Sequence, residues 1–134
     1  MTRYLLDTDI CIYIAKHHPP ALRRRFEQAQ PGELAMSVVT YGELRHGAEK
    51  SQWRAKAIDT LATLTDAITI LDLPEQAGAH YGAIRADLER AGTPIGANDL
   101  WIAAHALAED LTLVTNNGRE FRRIEGLRVE NWAQ

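Results

Sequence analysis

The feature that most constrains the fold is the alternation of short apolar runs with longer segments of helical periodicity. Between the runs, apolar residues recur three and four positions apart, which is the spacing of one helix face. Strands that are apolar almost throughout are buried on both faces, as in a parallel sheet covered by helices. The sequence therefore predicts an α/β/α sandwich with a mainly parallel sheet of about four or five strands. The apolar runs are 4–6, 34–39, 68–71, 111–114 and a short one at 127–129.

Length and composition indicate a single domain over residues 1–134. The single cysteine, Cys11, excludes a disulfide framework and a cysteine-based zinc site. No stretch reaches the roughly 18 consecutive apolar residues of a membrane span, and we expect a cytoplasmic protein without a membrane partner. The formal net charge is −3, so the chain as a whole does not attract nucleic acid, although 12 of its 15 basic residues are Arg. Arginine is the side chain best suited to binding phosphate groups.

Acidic and amide side chains occur close to the ends of the predicted strands. Asp7 directly follows the first strand, and Glu43 lies a few residues beyond the second. Asn116 and Asn117 directly follow the fourth strand, and Asp99 begins the helix that leads into it. In open α/β sheets, ligands bind outside the carboxyl ends of the strands. We therefore expect these side chains to gather at one edge of the sheet.

The mutual repulsion in a cluster of negatively charged carboxylates must be offset by protons or by a cation. Two like charges about 4 Å apart repel by roughly 4 kcal/mol at an effective dielectric constant near 20. Such a cluster either takes up protons or holds a cation. Mg²⁺ prefers hard oxygen ligands, keeps several of its waters and uses one or two carboxylates directly. With a phosphodiester as substrate, this arrangement supports hydrolysis without a covalent nucleophile.

Each acid also has a local structural explanation. Thr40 and Glu43 have the spacing of a capping box, in which Thr40 begins a helix and Glu43 closes its first turn. Asn98 could cap the helix in which Asp99 is a first-turn acid. Asp7 or the next residue could cap the first helix in the same way. These explanations do not account for three acids at the same edge of the sheet.

Four segments of the chain together resemble a known family. Leu5-Leu6-Asp7-Thr8-Asp9 is followed by Val39-Thr40-Tyr41-Gly42-Glu43, by Pro94-Ile95-Gly96-Ala97-Asn98-Asp99 and by Val114-Thr115-Asn116-Asn117, the last continuing to Glu120-Phe121. In this order they are similar to the motifs of the PIN-domain family, and in particular to the ribonuclease toxins of VapBC-type toxin–antitoxin pairs. The resemblance covers nearly the whole chain.

The resemblance implies a Rossmann-like PIN fold and an endoribonuclease that depends on Mg²⁺, with Mn²⁺ as a substitute. It implies cleavage of structured RNA, including tRNA in the anticodon region. The expected partner is a small VapB-like antitoxin whose C-terminal segment crosses the active-site groove. Such toxins form homodimers or heteromeric toxin–antitoxin complexes.

The same resemblance assigns roles to the three acids. Asp7 and Asp99 are expected to ligate Mg²⁺ directly or through one water. Glu43 is expected to orient the attacking water or to act as general base. Thr115 would position the water or the scissile phosphate, and the surface Arg119 and Arg123 would receive the RNA backbone.

One position departs from the family pattern. Many PIN domains have an Asp where this chain has Asn116 and Asn117. Asn117 can hold a water through its carbonyl oxygen, and it shares the role of positioning water or phosphate with Thr115. Glu120, three residues further on, can supply the charge if the segment is helical. The sequence leaves both alternatives open.

Two other functions fit part of the sequence. Asp7 and Asp9 after a strand are also typical of a dehalogenase-type phosphatase, with Asp7 as nucleophile. That family expects Thr or Val where this chain has Cys11, and a late Lys, whereas the last lysine here is Lys56. The other alternative is a PIN module that binds RNA or a partner without cleaving, as the missing fourth acid would suggest.

Overall fold

The computed structural model of the chain describes residues 1–16 and 19–133. Helices and strands alternate, as the apolar runs predict. The strands are β1 (Tyr4–Leu6), β2 (Leu34–Ser37), β3 (Thr69–Leu71), β4 (Thr112–Val114) and β5 (Val129–Glu130). The helices are α1 (Thr8–Ala15), α2 (Pro20–Gln28), α3 (Val38–Glu49), α4 (Arg54–Ala67), α5 (Gln76–Arg90), α6 (Ala97–Ala108) and α7 (Gly118–Phe121).

The five strands form one sheet in the order β3-β2-β1-β4-β5, and every pairing in it is parallel. This confirms the predicted α/β architecture with a parallel sheet. β1 lies in the centre, with Leu6 paired to Val114 of β4. The carboxyl ends of β1 and β4 are therefore neighbours. The residues that directly follow these two strands meet at the same edge.

The sheet is buried on both faces. On β1, Leu6 packs in one apolar cluster together with Ile10 of α1 and Met36 of β2. Leu5 points to the other face and packs in a second cluster with Ile102 of α6. Full burial of each such side chain stabilises the fold by roughly 1.5–3 kcal/mol. This two-sided core fixes α1 and α6 against opposite faces of the central strands.

The second strand is shorter than its apolar run. The run predicts a strand over 34–39, whereas β2 ends at Ser37 and α3 begins at Val38. The Ser37 hydroxyl accepts a hydrogen bond from the Val39 N–H at 3.1 Å and caps the new helix. A side-chain cap of this kind supplies a partner for an otherwise free N–H of the first helical turn. None of the helices in the described part of the chain is both long and apolar enough to cross a membrane.

Candidate active site

Asp7 lies at the junction of β1 and α1. It is the N-cap of α1, as one of the local explanations predicted, and its Oδ1 accepts from the Thr8 N–H at 2.8 Å. Its Oδ2 accepts from the Thr115 hydroxyl at 2.7 Å. The residue is only 5% exposed. Each carboxylate oxygen thus receives one hydrogen bond and keeps further lone pairs for a ligand.

Thr115 fixes Asp7 from the neighbouring strand. It follows β4 directly and is fully buried. Its hydroxyl oxygen accepts from the Asn117 N–H at 2.9 Å while its O–H donates to Asp7. The backbone of the loop after β4 therefore orients the hydroxyl toward Asp7. Thr115 holds the acid in place and is too deeply buried to contact a large substrate.

Glu43 does not close a capping box, so that local prediction is wrong. Because Ser37 caps α3, Thr40 lies inside the first turn and Glu43 in the second. Its Oε1 instead accepts from the Thr8 hydroxyl at 2.7 Å. The Thr8 and Thr40 hydroxyl oxygens are 3.3 Å apart, which links the two helices further. Thr8 thus joins the Glu43 carboxylate on α3 to the Asp7 end of α1.

We expect replacement of Thr8 by Val to lower the rate of the RNA cleavage that the family resemblance implies by about 10–100-fold, the range for loss of an outer-shell hydrogen-bond partner at a metal site. Val matches Thr in shape but cannot donate to Glu43. Thr8→Ser keeps the hydroxyl and is expected to restore most of the rate. Single-turnover cleavage assays on all three proteins make the comparison. Equal rates for wild type and Thr8→Val would contradict a positioning role for Thr8.

Asp99 approaches the same edge from α6. The helix is capped at Gly96, not at Asn98, and Asp99 is an acid of its first turn. Burial, followed by the negative charge of Asp7, raises the pKa of Asp99 to about 6. Glu120 and Glu43 add to this rise. Acids from four separate elements therefore lie within electrostatic range of one another.

The charges concentrate around Asp7. Burial raises the pKa of Asp7 despite the hydrogen bonds from Thr115 and Thr8, and the charge of Glu43 raises it further. Burial and the charge of Asp7 raise the pKa of Asp9 to about 6. The sequence reasoning did not include Asp9 among the residues of a nuclease site. The available signal was its place two residues after Asp7, in the first turn of the same helix.

The donor set fits a hydrated divalent cation. The buried Oδ1 of Asp9 has no hydrogen-bond donor among the described residues. Within residues 1–16 and 19–133, no group of three or more His, Cys, Asp or Glu side chains that could hold a metal ion is present. Mg²⁺ keeps several of its waters, so it needs only one or two direct carboxylates and further oxygens around them. Asp7 and Asp99 would hold such an ion, with the remaining acids facing its hydration shell.

Without metal, Asp99 should give stability a defined pH dependence. Its pKa is about 6 in the folded protein against 3.8 as the ordinary value. The folded state then binds more protons than the unfolded chain, so this contribution to the free energy of unfolding falls as pH rises between those values. Burial lowers the pKa of His105 from its ordinary value of 6.5. The contribution of His105 to the free energy of unfolding therefore rises with pH below 6.5, opposite to that of Asp99.

His105 contributes equally to the pH dependence of stability in wild type and in Asp99→Asn. The difference in the free energy of unfolding between the two proteins in EDTA therefore isolates the effect of Asp99. We expect the stability of Asp99→Asn relative to wild type to increase from about pH 4.5 to about pH 7.5, because only wild type carries the charge at high pH. Urea unfolding across this range measures the difference. A difference that stays constant with pH would contradict the electrostatic coupling of Asp99.

The two candidates for the missing fourth acid occupy one corner. The Asn117 Nδ2 donates to the Glu120 Oε2 at 3.2 Å, and the charge of Glu120 reaches Asp99. The segment is helical at this point, as the Glu120 alternative requires. The side chain of Asn116 turns away and donates to the Tyr13 hydroxyl at 3.3 Å. Asn117 and Glu120 therefore face the site together.

The arginines are placed differently from one another. Arg119 is exposed on α7, one residue from Glu120. Arg123 lines a pocket formed with Ile84 and Leu88 of α5, and none of the site acids lines that pocket. Arg25 pairs with Glu130 at 3.1 Å. Of these side chains, Arg119 lies nearest in sequence to the acidic edge.

An apolar groove adjoins the acids. It has a volume of about 520 Å³, lies between α1, α3 and α4, and is lined in part by Thr8 and Glu43. Its lining contains Trp53, which is 70% exposed, and two of the three lysines of the chain, Lys16 and Lys56. The sequence reasoning missed this groove because the three helices that form it are brought together only by the fold.

Comparison with known proteins agrees with this geometry. The PIN domain family model matches residues 4–127. Ribonuclease VapC2 of Haemophilus influenzae is 45% identical over 99% of this chain and 100% of its own length. The tRNA(fMet)-specific endonuclease VapC of Shigella flexneri is 44% identical over the same shares.

Solved structures of VapBC proteins have the same fold as this chain. VapBC-1 from nontypeable Haemophilus influenzae superimposes with a TM-score of 0.91 at 41% identity, covering 99% of this chain and 100% of that one. DNA-bound VapBC from Salmonella typhimurium gives 0.92 at 41% identity, with 98% and 99% covered. The dehalogenase-type alternative is therefore wrong. The chain belongs to the PIN-domain family, and its relatives there are VapC ribonucleases.

Proposed function

We propose that this chain is the toxin of a toxin–antitoxin pair and a Mg²⁺-dependent endoribonuclease. The observation that carries the proposal is the meeting of Asp7, Glu43 and Asp99 at the carboxyl edge of the sheet. Their mutual repulsion is unfavourable in the free protein and would be relieved by a cation. Its close relatives are named ribonucleases, which favours an enzyme over a binding module without activity.

Each acid would take a separate part of the reaction. Asp7 and Asp99 would hold Mg²⁺, whose positive charge stabilises the phosphate in the transition state and promotes deprotonation of the attacking water. Glu43 has one oxygen occupied by the Thr8 hydroxyl, so the other is free to accept a proton from that water. Asn117 and Glu120 would orient the water or the phosphate. Arg119 would bind a neighbouring phosphate of the RNA.

We propose structured RNA, and specifically initiator tRNA, as the substrate class. The support is the name of the Shigella flexneri relative, a tRNA(fMet)-specific endonuclease at 44% identity. Purified protein incubated with initiator tRNA and Mg²⁺ should produce a single cut in the anticodon region. Elongator tRNA for methionine serves as the matched control and should remain intact. Equal cleavage of both tRNAs would contradict the substrate assignment while leaving the nuclease activity in place.

We propose that the apolar groove receives a segment of a VapB-type antitoxin. The solved relatives include VapBC complexes. Thr8 and Glu43 line the groove, so a segment lying in it would contact the edge of the acidic site. Lys16 and Lys56 on its walls favour a segment that combines apolar with acidic side chains. Occupation of the groove would block access to the active site and so inhibit the enzyme.

A further inference from the structure

Asp9 occupies an unusual position beside the proposed metal ligands. It is the second residue of α1, whose cap is Asp7. The negative charge of Asp7 acts on its carboxyl group. The charge of Asp99 also acts on it from α6. Asp9 therefore lies within electrostatic range of both acids that are proposed to hold the cation.

The hydrogen bonds of Asp9 are incomplete. The backbone N–H groups of Ile10 and Asn116 interact with its carboxyl group and lower its pKa. Its Oδ1 is nevertheless buried and has no donor among the described residues. A buried carboxylate oxygen without a partner is unfavourable, because it has lost its hydrogen bonds to water. Such an atom, placed against other acids, is best explained by a positive ligand.

The position of Asp9 at a helix start offers a purely structural explanation. An acid in the first turn stabilises a helix modestly through the helix macrodipole. That benefit requires only one oriented carboxylate, and Asp7 already caps this helix. It does not explain why a second carboxylate near Asp7 has a buried oxygen without a donor. Repulsion between two such charges exceeds the benefit from the dipole.

We propose that Asp9 is a further acid of the metal site and supplies negative charge where Asn116 and Asn117 supply none. This inference rests on the proposed Mg²⁺-dependent function. Asp9 would act on the hydration shell of the ion from the first turn of α1. The carboxylate raises the affinity of this chain for a divalent cation.

Binding of Mn²⁺ and Mg²⁺, measured by titration calorimetry on antitoxin-free protein, tests the inference without reference to activity. Asp9→Asn keeps an oxygen but loses the charge, and we expect about 10-fold weaker binding. Asp9→Ala loses both and should bind more weakly still. Asp66→Asn removes the same charge from the exposed surface of α4 and should bind as wild type does.

Thermal unfolding in EDTA provides a second readout. A metal-site role predicts that Asp9→Asn raises the melting temperature of the metal-free protein, because repulsion with Asp7 is relieved. It also predicts a smaller gain on addition of Mg²⁺. A structural role predicts a lower melting temperature and an unchanged cation affinity, and that result overturns the inference. Wild type that binds the ions and cleaves RNA supports the proposed Mg²⁺-dependent function. If Asp9→Asn then binds the ions as tightly as wild type, the metal-site role of Asp9 is wrong and the proposed function is unaffected.

Discussion

Replacement of Asp7 by Asn is expected to lower Mg²⁺-dependent RNA cleavage by more than about 100-fold. Loss of a group that only supports a metal ligand reduces activity by about 10–100-fold, so loss of a ligand itself should exceed that range. Asn has nearly the shape of Asp, and its single oxygen can still accept from the Thr8 N–H. The charge that attracts the cation is lost. Single-turnover cleavage of a defined tRNA at saturating Mg²⁺ measures the effect.

Two controls separate this loss from a folding defect. Asp66→Asn changes the net charge equally at an exposed position of α4 and should cleave as wild type does. Circular dichroism and thermal unfolding of Asp7→Asn in EDTA should show a folded protein, because a repulsive buried charge has been removed. Full activity in folded Asp7→Asn would exclude it as a metal ligand.

Replacement of Trp53 by Ala is expected to weaken antitoxin binding by roughly 30-fold or more, the effect of losing an aromatic residue at the centre of an interface. Trp53 lines the groove and is 70% exposed in the free chain. Substitution of an exposed side chain usually changes stability by less than about 0.5 kcal/mol. Cleavage by the free toxin should therefore persist, while inhibition by its cognate antitoxin should require much higher concentrations.

Ile70 provides the matched control for Trp53. It is an exposed apolar residue on β3, 37% accessible, and it does not line the groove. Ile70→Ala should bind the antitoxin as wild type does. Calorimetric titration with the antitoxin measures the affinity of each variant and so compares Trp53→Ala with Ile70→Ala. Equal affinities for wild type, Trp53→Ala and Ile70→Ala would place the antitoxin elsewhere on the surface.

The parallel sheet and the residues at its carboxyl edge could be predicted because short runs of neighbouring residues determine them. The runs at 4–6 and 111–114 are apolar on both sides of each strand, and this pattern by itself indicates burial on both faces. Both became neighbouring parallel strands, β1 and β4. Since Asp7 and Thr115 directly follow these strands, their meeting at 2.7 Å follows from the topology.

Contacts between distant elements could not be predicted in the same way. The spacing of Thr40 and Glu43 is that of a capping box. Ser37 is instead the N-cap of α3, and the Glu43 carboxylate accepts a hydrogen bond from the Thr8 hydroxyl. That hydrogen bond joins positions 35 residues apart, and no local pattern marks it. The effect of Asp99 on Asp9 likewise depends on how α1 and α6 pack on the sheet.

The most direct test of the account is the chemistry of cleavage by purified, antitoxin-free protein with and without Mg²⁺. Attack by water on a phosphodiester held by Mg²⁺ and acidic residues should leave 5′-phosphate and 3′-hydroxyl ends. EDTA should abolish cleavage, and added Mg²⁺ should restore it. Cleavage that persists in EDTA and leaves 2′,3′-cyclic phosphate ends would contradict a metal site built on Asp7 and Asp99.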